Sequence, residues 1–174
     1  EKQFSDAERL ALAITQEFPK HPLGWKVLSS VLIHMERTLE SLIPSQKAVE
    51  TAPLDDEAHF ILGVTLCALG RSNEAETSYR QAIELRPDYA EAHNNLGNTL
   101  LDLRRPDSAA SSYSQAIVFK PEFAEAHYNL GRTLQEMSRF NEAKASYEQA
   151  IALKPNYAEA HNNLGNTYQQ LSNF

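Results

Sequence analysis

The sequence predicts an all-α fold, a solenoid of stacked antiparallel helix pairs with a 34-residue period. Three observations carry this. The string AEAHNNLGNT stands at Ala90–Thr99 and again, unchanged, at Ala158–Thr167, 68 residues on, with AEAHYNLGRT midway from Ala124. Columns of proline (Pro19, Pro53, Pro87, Pro121, Pro155), histidine (His59, His93, His127, His161) and glycine (Gly63, Gly97, Gly131, Gly165) all keep a step of 34. Within one period the apolar residues recur at helical spacing, as in His93, Leu96, Leu100 and Leu103, then Ala109, Tyr113, Ala116 and Ile117.

Each unit reads as two helices of about 13 residues with short turns, since one stripe ends before RRPD and the next begins at it. Pro106 suits the first turn of a new helix, and the x-Pro step that closes each unit disfavours a helical residue before it. The first helices are expected near 22–35, 56–69, 90–103, 124–137 and 158–171. The second helices are expected near 5–18, 38–52, 73–86, 107–120 and 141–154. The chain then divides into a half repeat (1–21), full repeats 22–55, 56–89, 90–123 and 124–157, and a last half repeat (158–174).

A glycine inside a helix costs about 1 kcal/mol against alanine, so a column of four requires a close neighbour. Another backbone is expected there, facing the alanine column Ala75, Ala109 and Ala143, with Tyr79, Tyr113 and Tyr147 filling the space between units. No helix pair buries its apolar face alone, so the units must stack. Unit 22–55 departs from the pattern: Ser41 replaces the alanine, Ser45 the tyrosine, and Pro44 falls inside the second helix. A kink or late start is expected there.

These residues resemble the tetratricopeptide repeat family along the whole chain. The likeness rests on Trp25 and Leu28, on Leu62-Gly63, Leu96-Gly97 and Leu130-Gly131, and on the alanine, tyrosine and proline columns. The resemblance implies a right-handed superhelix whose first helices line a concave groove for protein ligands. The HNNLGN wording is also similar to repeats that precede O-linked N-acetylglucosamine transferases and bacterial relatives.

Composition excludes several functions. The 174 residues are 42% hydrophobic and carry a net charge of −7. A general nucleic-acid binder needs a basic face, and an anionic membrane surface repels this charge. The longest apolar stretch, Ile61–Gly70, is too short to span a bilayer. Cys67 is the sole cysteine, so no intrachain disulfide forms, and a cytoplasmic location is expected. The chain starts at Glu1 rather than Met and reads as part of something longer.

No catalytic site, cofactor or metal is expected. HExxH, CxxC and phosphate-loop patterns are missing from the sequence. Packed helices lie about 8–10 Å apart, whereas zinc ligands sit about 2.1 Å from their ion. The column histidines therefore read as packing residues at helix starts.

Binding residues are sought off the packing stripe. Asn94, Asn95, Asn98, Asn129, Asn162, Asn163 and Asn166 lie there, and asparagine is a mediocre helix former. An amide both donates and accepts, so it suits the main chain of an extended peptide. The resemblance to the transferase-linked repeats makes Asn95, Asn129 and Asn163 a ladder along the groove. The other reading of these asparagines is that they tie one helix to the next. Phe60, Val64, Tyr128 and Arg132 complete the expected groove. The glutamates Glu57, Glu91, Glu125 and Glu159 complement helix dipoles or favour a positively charged ligand. A clamp for a C-terminal carboxylate finds only Lys26 and Arg132.

The expected function is a non-enzymatic protein-interaction scaffold that binds a polypeptide segment in its concave groove. The alternative is a substrate-presenting or assembly arm of a glycosyltransferase-like enzyme with its catalytic domain outside this segment. Self-association through exposed repeat ends is a third reading, carried by Tyr168, Leu171 and Phe174 in the unpaired last helix.

Overall fold

The computed structural model describes residues 2–172, and ten helices make up its regular structure: α1 (Lys2–Glu17), α2 (Pro22–His34), α3 (Thr38–Thr51), α4 (Asp56–Ala68), α5 (Ser72–Leu85), α6 (Ala90–Asp102), α7 (Pro106–Phe119), α8 (Ala124–Glu136), α9 (Phe140–Leu153) and α10 (Ala158–Ser172). Apart from the start of α1, every boundary lies within one residue of its expected place. Phe174, expected on the open end, lies outside the described residues.

The chain forms two compact units, Glu1–Pro87 and Asp88–Phe174. In the first, each of α1 to α4 packs on the helix that follows it, and α2 also meets α4. In the second, each of α6 to α9 packs on its successor, and α8 meets α10.

Local chemistry starts and stops these helices. Asp55 caps α4 by accepting from the Ala58 N–H at 3.0 Å. Pro22 and Pro106 stand in the first turns of α2 and α7. The residues just past the first helices, Glu36, Gly70, Arg104 and Ser138, take positive φ between 58° and 72°. The next amide then reaches back to the helix, as in Arg139 N–H to Leu134 O at 2.8 Å. At the starts of α3, α5 and α9, Arg37, Arg71 and Arg139 fork onto Glu40, Glu74 and Glu142 three residues on.

The glycine column has a different cause from the one expected. A Cβ at Gly63 would lie 2.7 Å from Tyr79 Cε1, at Gly97 2.5 Å from Tyr113 Cε1, and at Gly131 2.8 Å from Tyr147 Cδ1. The close neighbour is therefore the tyrosine ring of the paired helix, not a second backbone facing the alanines. Each ring lies inside its own pair and is almost fully buried. Unit 22–55 shows the same rule in reverse. Ser45 takes the tyrosine's place, and Ser29 takes the glycine's, donating to Ser41 O at 3.3 Å. Where the ring is lost, a small side chain fills the seat.

Pro44 delays nothing. α3 begins at Thr38 and runs through Pro44 to Thr51. Pro44 is buried, and its neighbours Ser41 and Ser45 turn their hydroxyls onto Thr38 O and Leu42 O at 2.7 and 2.9 Å. These bonds accompany the ladder across the missing proline N–H.

Candidate functional site

The histidine column has a bonding role. His59, His127 and His161 each place Nε2 2.9 Å from the carbonyl of Pro53, Pro121 and Pro155, six residues earlier. Trp25 stands in the same column and donates Nε1–H to Pro19 O, also at 2.9 Å. His93 stacks on Phe119 with ring centroids 5.4 Å apart. Among the described residues no group of three histidines, cysteines or acidic side chains could hold a metal ion. Sequence reasoning missed this latch. Its signal was the coincidence of the proline column with one that holds Trp25 and then histidines, all ring N–H donors.

In the first unit, Phe60 and Val64 lie half-buried on α4, and Phe60 packs against Tyr79 with centroids 5.9 Å apart. Lys26 is committed to Asp55 at 2.8 Å and Glu57 at 2.5 Å. Burial pulls the Lys26 pKa down, but its bonds to the two carboxylates outweigh this and raise it. Burial likewise pushes Asp55 up, and the bonds from Lys26 and the Ala58 N–H bring it below its usual value. A lysine held this way has its charge already matched.

In the second unit, the expected asparagines divide into two groups. Asn94 and Asn129 are 2% and 7% exposed, so they do not lie on a solvated face as the stripe implied. Asn129 Nδ2 donates to Asn94 Oδ1 at 3.1 Å, which ties α8 to α6. A buried amide needs such a partner, and two amides in adjacent columns supply it to each other. Tyr128 takes the Asn94 column one repeat on, and its hydroxyl accepts from Asn163 Nδ2 at 3.2 Å, tying α10 to α8. The stripe was too narrow a guide here, because neighbouring first helices also bury part of their flanks.

The remaining side chains are more open. Asn162 and Asn166 are exposed; Asn95, Asn98, Asn163, Tyr128 and Arg132 are half-buried. Asn98 Oδ1 accepts from the Tyr113 hydroxyl at 2.7 Å, and the Arg132 guanidinium acts electrostatically on the same hydroxyl. Burial raises the Tyr113 pKa well above the usual tyrosine range, so the hydroxyl remains a donor. Burial does the same for Tyr147 and lifts Tyr157 to about 12. Arg132 Nε is buried without an acceptor among the described residues. Of the glutamate column, Glu57 holds Lys26 and Glu91 holds Lys120 at 2.7 Å, while Glu125 and Glu159 are exposed.

The TPR repeat family matches residues 63–103, 106–138 and 136–172, more than half of the chain. The chain belongs to the tetratricopeptide repeat (TPR) family. Its TPR fold is shared with solved structures. MamA superposes with a TM-score of 0.80 at 22% identity, covering 90% of this chain and 91% of MamA. YrrB, a TPR protein with an unusual peptide-binding site, superposes with a TM-score of 0.77 at 20% identity, covering 94% of this chain and 84% of YrrB. The first TPR of Spaghetti (RPAP3), bound to the HSP90 peptide SRMEEVD, gives 0.66 at 23% identity, covering 67% and 93%. At such identity the likeness is one of fold. No curated protein sequence matches this TPR chain. No helix among the described residues is long and apolar enough to cross a membrane.

Proposed function

We propose that this TPR chain is a non-catalytic protein-interaction scaffold whose second unit holds an extended polypeptide against α6, α8 and α10. The observation behind the reading is the unspent bonding capacity of Asn95, Tyr128, Arg132, Asn162 and Asn163, side by side on three first helices. Each asparagine amide has two N–H donors and a carbonyl with two lone pairs. The bonds seen at Asn163 and Asn95 use one group each. A peptide main chain supplies an N–H and a carbonyl at every residue, so such amides hold it with little regard to its side chains. Arg132 adds a cation whose Nε has no acceptor. A carbonyl or carboxylate of the ligand meets that need once the side chain swings outward. The peptide sites of YrrB and of the Spaghetti TPR support the class of ligand.

The test starts from a peptide recovered by pull-down and compares two sets of variants. Asn162→Ala with Asn163→Ala and Arg132→Gln should weaken binding by roughly one to three powers of ten, at about 0.5–1.5 kcal/mol per bond. Asn129→Ala should instead lower the melting temperature, because it takes away the donor to the buried Asn94 Oδ1. Undiminished affinity in the folded triple variant would remove these residues from the binding account.

A further inference from the structure

Acid and base are unevenly shared out in the second unit. Its first helices, α6, α8 and α10, carry Glu91, Asp102, Glu125, Glu136 and Glu159 against a single guanidinium, Arg132. On α8, Glu125, Tyr128, Arg132 and Glu136 fall at i, i+3, i+7 and i+11, one stripe of the helix. Asp102 ends the same stripe on α6, and Glu159 begins it on α10. The leading glutamates differ in their surroundings. Lys120 reaches Glu91 at 2.7 Å and also lies over the Phe123 ring at 4.8 Å. Lys154 stands at the same spacing from Glu125, yet its ammonium lies over the Tyr157 ring at 4.6 Å. Asp102, Glu125 and Glu136 are exposed, and none of them has an ion-pair partner among the described residues.

We infer that the polypeptide held on this face is basic, with lysine or arginine side chains seated at two places: between the Glu125 carboxylate and the Tyr128 and Tyr157 rings, and between Asp102 and Glu136. The inference rests on the peptide reading above and names the charge of its ligand. Helix dipoles do not account for the pattern. They favour a carboxylate in the first turn, where Glu125 stands, and disfavour one in the last. Asp102 and Glu136 are the last residues of α6 and α8, so their charge is unfavourable to the helices that carry it. At the other place, Tyr128 and Tyr157 lie with ring centroids 4.9 Å apart. An aromatic face attracts a cation, and a carboxylate beside it adds to the attraction. Tyr157 already attracts one cation, the Lys154 ammonium. The carboxylates also act in pairs on the two tyrosines. Burial does most to raise the Tyr157 and Tyr113 hydroxyls; Glu125 and Glu159 add to the first, and Asp102 and Glu136 to the second. Arg132 offsets part of the field at both hydroxyls. As a pure donor it suits a main-chain carbonyl of the ligand and calls for no acidic side chain there.

The probes are short blocked peptides of alanine and serine that carry several arginines, several glutamates or no charge. Fluorescence titration with the full chain should give the arginine set an affinity about three- to thirtyfold above the neutral set, with the glutamate set weakest. Added salt should shrink the difference. Glu125→Gln with Glu136→Gln should remove most of the arginine advantage. Glu50→Gln with Glu84→Gln makes the same change of net charge on the second helices α3 and α5 and should leave the advantage in place. Equal affinity of the arginine and neutral sets, or a preference for glutamate, would overturn the inference and leave the peptide reading standing. An equal loss in the two double variants would also overturn it, since the advantage would then report net charge alone. Failure of all three sets to bind would overturn the peptide reading and this inference with it.

Discussion

Gly97 and Tyr113 are two halves of one fitting. The glycine leaves room for a ring that would otherwise lie 2.5 Å from its Cβ, and the ring is fully buried there. Gly97→Ala should therefore destabilise the chain by about 1–3 kcal/mol, the usual overpacking range. Gly165→Ala, with open space around it, should stabilise by up to about 1 kcal/mol through helix propensity. Urea midpoints of the two variants should move in opposite directions; a shared direction would contradict the ring-on-glycine account.

The serine pair at Ser29 and Ser45 predicts coupling between the two positions. Tyr113→Ser alone should cost about 3–5 kcal/mol, as for other large-to-small aromatic changes. Adding Gly97→Ser should cost less in that background than in the wild type, because the ring that opposes it is gone. A double-mutant cycle should show a coupling of about 0.5–3 kcal/mol. Strict additivity would mean that the swap in unit 22–55 is unrelated to packing.

His127 should be replaceable by tryptophan but not by phenylalanine. Its Nε2 bond to Pro121 O has the same length as the Trp25 bond to Pro19 O. Thermal unfolding of His127→Phe should reveal a loss of about 0.5–1.5 kcal/mol, with much of it restored in His127→Trp.

Acid should weaken the chain through Glu40, Glu74 and Glu142. Side-chain hydrogen bonds from Arg37, Arg71 and Arg139 lower their pKa values in the folded state. A lowered folded pKa means that the contribution is complete above the unfolded value, about 4.3, and is lost as pH falls through the folded one. These pairs are on the surface, so added salt should shrink the effect. Glu74→Gln with Glu142→Gln should flatten the slope of urea midpoint against pH on the acid side, and an unchanged slope would assign it elsewhere.

The period and the helices were legible because each repeat writes the same residues into the same columns, and punctuation by proline survives any context. Neighbour identity was harder to read. The glycine column announced a close approach, but its partner lay 16 residues away on another helix, as with Gly97 and Tyr113, and spacing alone does not say which atoms meet. Pro44 looked disruptive because a single sequence does not show that nearby hydroxyls turn back onto the same helix. The asparagines were ambiguous for a related reason. An amide forms a tie between helices or a contact with a ligand by the same chemistry, and only burial separates Asn94 and Asn129 from Asn162.

The latch from His127 to Pro121 has a further consequence for how such a chain changes length over generations. Donor and acceptor lie six residues apart on one continuous stretch, so this bond between neighbouring repeats is written in local text. Loss or duplication of a whole period leaves every such joint intact, whereas an insertion between proline and ring donor breaks one. Copying errors in units of 34 residues are thus tolerated and shorter ones penalised. Two identical ten-residue strings in one chain are what recent growth by whole periods would leave behind.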